Sequence, residues 1–135
     1  MALVVWSDKL SVGVKSIDEQ HTVLFNAVND LHAAMMKGQS RAVIGDLLRT
    51  LLDYTRFHFD AEEEMMAKAN YPQLATHRIK HRELTKKVED FAARYERSDV
   101  TVSTHLSSFL SDWLCKHIQG TDKEYGPYMN ERGVR

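Results

Sequence analysis

The chain has 135 residues, 43% of them hydrophobic and 27% charged, with a formal net charge of -1; this suits one domain with its own core and is short for two. Near-neutral charge gives no electrostatic case for binding nucleic acid or an anionic membrane surface. The opening run Ala2 to Trp6 is too short to span a bilayer and lacks the basic flank of a secretion signal, and Cys115 has no second cysteine to pair with, so a cytoplasmic protein is the default expectation.

Residues 1 to 16 lack helical periodicity and carry the turn-prone Ser7, Asp8, Ser11 and Gly13, which predicts an N-terminal arm. Asp18 is a candidate cap for a first helix over 18 to 37, stopping near Lys37 and Gly38. Ser40 is placed to cap a second helix running to 69, and Asn70 and Tyr71 form a tight turn. Pro72 suits the first turn of a third helix over 72 to 97. Ser98 or Asp99 ends the next connection, and a fourth helix runs from Thr101 to Gln119, where Gly120 breaks it. Pro127 opposes a regular helix across its own position, so the tail is expected to be turn and coil. The short connections make successive helices antiparallel neighbours, giving an all-α, up-down-up-down four-helix bundle that uses residues 1 to 135 as one domain.

The apolar seam of a bundle helix recurs every three or four residues. It reads Ile17, His21, Leu24, Val28, Leu31, Met35 in the first helix and Ile44, Leu48, Leu51, Thr55, His58, Glu62, Met65 in the second. The third gives Leu74, His77, His81, Leu84, Val88, Phe91, Tyr95, and the fourth Leu106, Leu110, Trp113, His117. Histidines and a glutamate therefore occupy positions that call for hydrophobic side chains, and a buried polar group costs several kcal/mol unless something pairs with it. A metal cluster is such a partner. His58 and Glu62 are four apart, as are His77 and His81, so each pair projects from one helix face.

Depth along the bundle agrees with convergence. At about 1.5 Å per residue, His21 lies roughly 27 Å from the first turn, and the midpoint of His58 and Glu62 lies roughly 30 Å back from it. Glu62 and His77 flank the second turn at similar short distances, and His81 and His117 lie at similar long distances from the third. His32 and His105 fall one step off the seams and serve as controls, read as ordinary histidines. Glu63 and Glu64 are read as solvated face residues. Asp122 follows His117 by five residues, which a straight helix rotates away from that face, although Gly120 permits distortion. On spacing alone Asp122 is read equally well as a ligand or as an exposed aspartate.

The ordered motifs Asp18-Glu19-Gln20-His21, His58-Phe59 with Glu62-Glu63, His77 with His81, Trp113-Leu114 with His117-Ile118, and Asp122-Lys123-Glu124-Tyr125 resemble the signature of the hemerythrins. The arm from Trp6 to Val14 is similar to bacterial members. The resemblance covers nearly the whole chain, and no ligand position departs from the pattern. It implies that His21, His58, Glu62, His77, His81, His117 and Asp122 hold two iron ions bridged by oxide or hydroxide. It further implies a split, with His77, His81 and His117 on one iron and His21 and His58 on the other. Of twelve positions on two six-coordinate irons, five histidines, two bridging carboxylates and one bridging oxide leave one open, on the two-histidine iron. Two ferrous ions, two carboxylates and a hydroxide leave about one positive charge, far cheaper to bury than four. Donor type alone also admits zinc or manganese.

Dioxygen is the implied ligand, and the vacant side is expected to be dry and poor in acids. Leu24, Phe59, Trp113, Leu114 and Ile118 lie within four residues of a ligand and are candidate pocket walls, with plain core packing the simpler reading of Trp113. Tyr125 is read equally as a brace for the site or a packed tyrosine, and Cys115 as structural. The leading expectation is an oxygen-binding protein without enzymatic activity, for storage, delivery or sensing. One alternative is a di-iron enzyme acting on peroxide or another small oxidant, although the ferritin-like enzymes use Glu-x-x-His pairs and more glutamates. Another is an oxygen-responsive signalling domain, whose output needs a protein partner or a longer parent chain.

Overall fold

A computed structural model describes residues 3–96 and 102–135. Four long helices make up the bundle: α1 over Lys15–Met36, α2 over Arg41–Lys68, α3 over Leu74–Glu96 and α4 over Val102–Lys116. Each packs on its neighbour in sequence, and α4 closes the ring onto α1, which is the up-down-up-down arrangement that short antiparallel connections impose. No helix among the described residues is long and apolar enough to cross a membrane.

The seam residues make the core. Ile17, Leu24, Val28 and Leu31 of α1, Ile44, Leu48 and Leu51 of α2, Val88 of α3, and Leu106 and Leu110 of α4 are all nearly or wholly excluded from solvent. Toward its C-terminal end the α2 seam departs from the expected residue. Met66 is fully buried and Met65 only half-buried, because Met66 completes the four-residue step from Glu62.

The ends of the helices differ from expectation in three places. Helix α1 starts at Lys15 behind Val14, so Asp18 does not cap it. The Asp18 carboxylate turns back instead, accepting from Ser11 Oγ at 2.6 Å and from the Val12 backbone N–H at 2.9 Å. Those arm groups lack another strand or helix to satisfy them, and the first turn of α1 supplies the acceptor. Pro72 lies in the turn before α3 rather than in its first turn, following Asn70 at φ 55°. The tail is not coil: Gly126–Glu131 form a further helix, α5, with Pro127 in its first turn, where its missing N–H has no intrahelical partner to lose. As expected, the Ser40 side chain caps α2 by accepting from the Val43 N–H. The connection expected at Ser98 or Asp99 and the start at Thr101 lie outside the described residues, as does the side chain of His105.

The arm is ordered against the bundle. Asn29 accepts from the backbone N–H groups of Leu3 and Val4 and donates to the Val4 carbonyl at 2.8 Å. Trp6 sits edge-on to Phe25, 5.7 Å away, and 6.3 Å from His21. Helix α5 clamps the other side of the arm: Asn130 donates to the Gly13 carbonyl. A Cβ at Gly126 would lie 2.2 Å from the Val12 carbonyl oxygen, so only glycine admits this approach. The arm thereby covers the pole of the bundle where the polar seam residues gather.

Candidate metal centre

His21 comes from α1, His58 and Glu62 from α2, His77 and His81 from α3, and His117 and Asp122 from the end of α4. All seven are at most 6% exposed. The fourth helix reaches Asp122 by changing its winding: Lys116 ends the α-helical part, and His117–Asp122 form a π-helical turn whose i to i+5 bond runs from the Lys123 N–H to the Ile118 carbonyl at 3.1 Å. A five-residue spacing that diverges on an α-helix converges on a π-turn. Gly120 is not the reason, since its φ is not positive and a Cβ there would meet nothing within 4 Å.

Donor atoms gather in two sets. Glu62, His77, His81, His117 and Asp122 present ligand atoms within 4.8 Å of one another, and so do His21, His58, Glu62 and Asp122. Glu62 and Asp122 belong to both. Asp122 Oδ1 lies 3.0 Å from Nε2 of His77 and 3.0 Å from Nε2 of His117, while Oδ2 lies 3.0 Å from Nε2 of His21. Glu62 Oε1 lies 2.7 Å from His58 Nε2 and 3.7 Å from His81 Nε2.

Most of these inward atoms have no hydrogen bond. Nε2 of His21, His58, His81 and His117, with Glu62 Oε1 and Asp122 Oδ2, are buried without an aligned partner; the 2.7 Å approach of His58 to Glu62 is short but lacks hydrogen-bond alignment. Orphaned donors and acceptors of this kind are rare in a folded interior, and imidazole and carboxylate atoms converging on shared points are the donor set of a transition-metal pair. The residues therefore fit two cations bridged by two carboxylates.

Burial and neighbouring charges move Glu62, Asp122 and His81 toward the protonation states that ligation needs, with His117 the exception. Burial drives the His81 imidazole down to about 3 against the pull of Glu62, which keeps it neutral. Burial raises both carboxyls, but the surrounding imidazoles outweigh it: His117, His21 and His77 hold Asp122 well below its ordinary range, and His58 and His21 hold Glu62 below its own. His117 goes the other way, raised because Asp122 overcomes its burial. Tyr125 is pushed well above the usual phenol value by burial and by Glu62 and Asp122; it stays protonated and donates to Glu62 Oε2 at 2.7 Å.

The domain family described as Hemerythrin HHE cation binding domain matches residues 12–129. The chain belongs to the hemerythrin family. It is 39% identical to a bacteriohemerythrin of Stenotrophomonas maltophilia over 125 residues, covering 93% of this chain and 80% of that one. It is 34% identical to a bacteriohemerythrin of Methylococcus capsulatus, covering 96% and 99%. A crystal structure of wild-type hemerythrin superposes with a TM-score of 0.87 at 35% identity, covering 93% of this chain and 97% of that one.

Around this hemerythrin centre, two of the expected pocket residues lie against the three-histidine set. Phe59 stacks on His81 at 3.8 Å and 4°, and Trp113 packs edge-on to Phe59 and lines a surface groove of about 370 Å³ with His117. Leu24, Leu114 and Ile118 are buried at 0–1% exposure. His32 stays outside the cluster, 3.2 Å from Ser107 Oγ. Three supporting residues go beyond the sequence reading: Gln20, given no role there, has its Oε1 2.7 Å from His58 Nδ1; Glu63, expected on the solvated face, is instead only 21% exposed and lies 3.0 Å from His81 Nδ1, because that ligand reaches it from α3; and Tyr125, read equally as a brace or a packed tyrosine, donates to Glu62. The adjacency of Gln20 to His21 and of Glu63 to Glu62 is the signal that could have found the first two.

Proposed function

We propose that this chain binds dioxygen reversibly at a non-haem di-iron centre held by His21, His58, Glu62, His77, His81, His117 and Asp122. The observation that carries the reading is the division of the donors into a three-histidine and a two-histidine set that share both carboxylates. His77, His81 and His117 would hold one iron and His21 and His58 the other, so the two-histidine side would have one protein ligand fewer and would be the side that takes up dioxygen. A pair of irons with an oxide or hydroxide, held by these residues, would supply the electrons that reversible binding of dioxygen requires.

The protein's own residues keep that chemistry reversible. Asp122 and Glu62 stay ionised and offset the charge of the ions. Tyr125 holds the outer oxygen of Glu62 and keeps its proton, so the carboxylate is fixed without an acid being released into the site. Leu24, Leu114 and Ile118, buried and within four residues of a ligand, are the side chains assigned to keep the open side dry, since exclusion of water removes the proton source that would discharge a reduced ligand. The assignment gives no residue a catalytic role. Storage, local delivery and sensing all use this same site, and a cytoplasmic location suits each.

Anaerobic loading with ferrous iron, followed by visible spectra under nitrogen and then air, tests the proposal. Two irons per chain and a charge-transfer band that disappears when oxygen is removed are expected. His77→Ala and His117→Ala should lose iron while His32→Ala retains it; equal retention in all three would overturn the ligand assignment. Stoichiometric peroxide release on repeated oxygenation would replace the carrier with an enzyme.

A further inference from the structure

We infer that Glu63, seated behind His81, makes the three-histidine ion position electronically unlike the two-histidine position, where His58 is backed by the uncharged Gln20. The inference rests on the two-ion reading above. Both histidines turn Nε2 toward the shared Glu62 Oε1, His58 at 2.7 Å and His81 at 3.7 Å. Their Nδ1 atoms face outward, to Gln20 Oε1 at 2.7 Å and to Glu63 Oε2 at 3.0 Å. With Nε2 engaged inside, Nδ1 carries the ring proton and donates it outward. The two acceptors differ in charge.

A carboxylate that accepts from an imidazole N–H draws the proton toward itself and enriches the opposite nitrogen, and outer partners of this kind orient and strengthen a metal ligand. An amide oxygen orients the ring with less of that push. The Glu63 carboxylate is itself held in place, since its side chain is only 21% exposed and Arg78 Nε donates to its other oxygen at 3.2 Å. Arg78 itself is 44% exposed, so solvent screens much of its charge. Phe59, parallel to the His81 ring at 3.8 Å, fixes the plane in which Nδ1 meets the carboxylate. Successive residues of a helix point about 100° apart, which lets α2 send Glu62 into the centre and Glu63 across to a ligand on α3. The three-histidine position thereby receives the stronger donor and favours the more highly charged ion.

Glu63→Gln keeps an acceptor for His81 and removes the charge, so Glu63 acts as a positioning residue alone if that variant is silent. Wild type is first loaded anaerobically with ferrous iron; fewer than two ions bound would sink the two-ion reading itself, a failure separate from that of the inference. With two ions bound, Glu63→Gln is expected to release one of them to a competing chelator about 10- to 100-fold more readily and to shift the reduction potential of the pair upward. Gln20→Glu, which places a carboxylate behind His58, is expected to shift the potential downward. A Glu63→Gln protein matching wild type in both measurements, while Glu63→Ala alone loses iron, would overturn the inference, and so would an unchanged potential in Gln20→Glu. Circular dichroism of the metal-free variants checks that the helices persist.

Discussion

The two ends of this bundle obey opposite rules. At the end where α2 begins, Val28, Leu31, Leu48, Leu51, Val88, Leu106 and Leu110 close an interior that needs no further partner, and burial of apolar area at roughly 25 cal/mol per Å² sustains it. At the other end the same helices, on the same seams, bury five imidazoles and two carboxylates, several of whose atoms lack any hydrogen bond. The first half is finished by folding. The second is held together by Asp122 and Glu62 against their neighbouring imidazoles, an arrangement that could hold cations, with the arm, α5 and Tyr125 supplying a frame around it. A single helical scaffold can therefore place its stability in one half and leave the other half incomplete in the way a binding site requires.

Removing the ions should expose that division most strongly. A ligand that binds only the folded state stabilises it by about 4 kcal/mol when its free concentration is about 1,000 times its dissociation constant. Chelation should lower the melting temperature accordingly, and amide exchange should accelerate more around His21, His58 and His117, which can open locally, than at Leu48 and Leu51, which follow the global loss alone. Acceleration spread evenly through both halves would break the comparison. The reciprocal change is Leu51→Ala. Leu51 is fully buried, and truncating such a residue costs about 3 kcal/mol through lost transfer energy and the cavity left behind. Urea unfolding should register this loss with the iron count still at two. A fall in iron content would mean that packing in the apolar half sets the geometry of the polar half.

The polar half is legible in the sequence to unequal degrees. His21, His58, Glu62, His77, His81 and His117 interrupt apolar seams at helical spacing, and that rhythm survives folding because helix winding fixes which residues share a face. Asp122 is not legible in this way: its five-residue step from His117 makes sense only on the π-turn, and spacing alone leaves that turn unspecified. Resemblance to a family, rather than spacing, brings Asp122 into the ligand set. Glu63 reads as a solvated residue because its partner, His81, lies on another helix, and periodicity within one helix carries no information about a neighbour across the interface. The same limit explains the ends. Asp18 has the chemistry of a cap but serves the arm, and Pro127 starts α5 instead of preventing it.

The smallest expected effect gives the sharpest test of independence. Ser40 caps α2 at the apolar end through one bond, from the Val43 N–H to its hydroxyl at 3.3 Å, and replacing such a cap with alanine costs about 1 kcal/mol. His58 lies seventeen residues beyond Arg41 on the same helix, roughly 26 Å away at the α-helical rise. Fraying of the first turn should therefore end long before it reaches the ligands. Ser40→Ala should lower stability by the same amount with iron bound and with iron removed, measured by urea unfolding of both forms. A larger loss in one form than in the other would show that α2 transmits the state of its polar end along its length, because a free-energy difference that depends on occupancy at one site is by definition coupling to it.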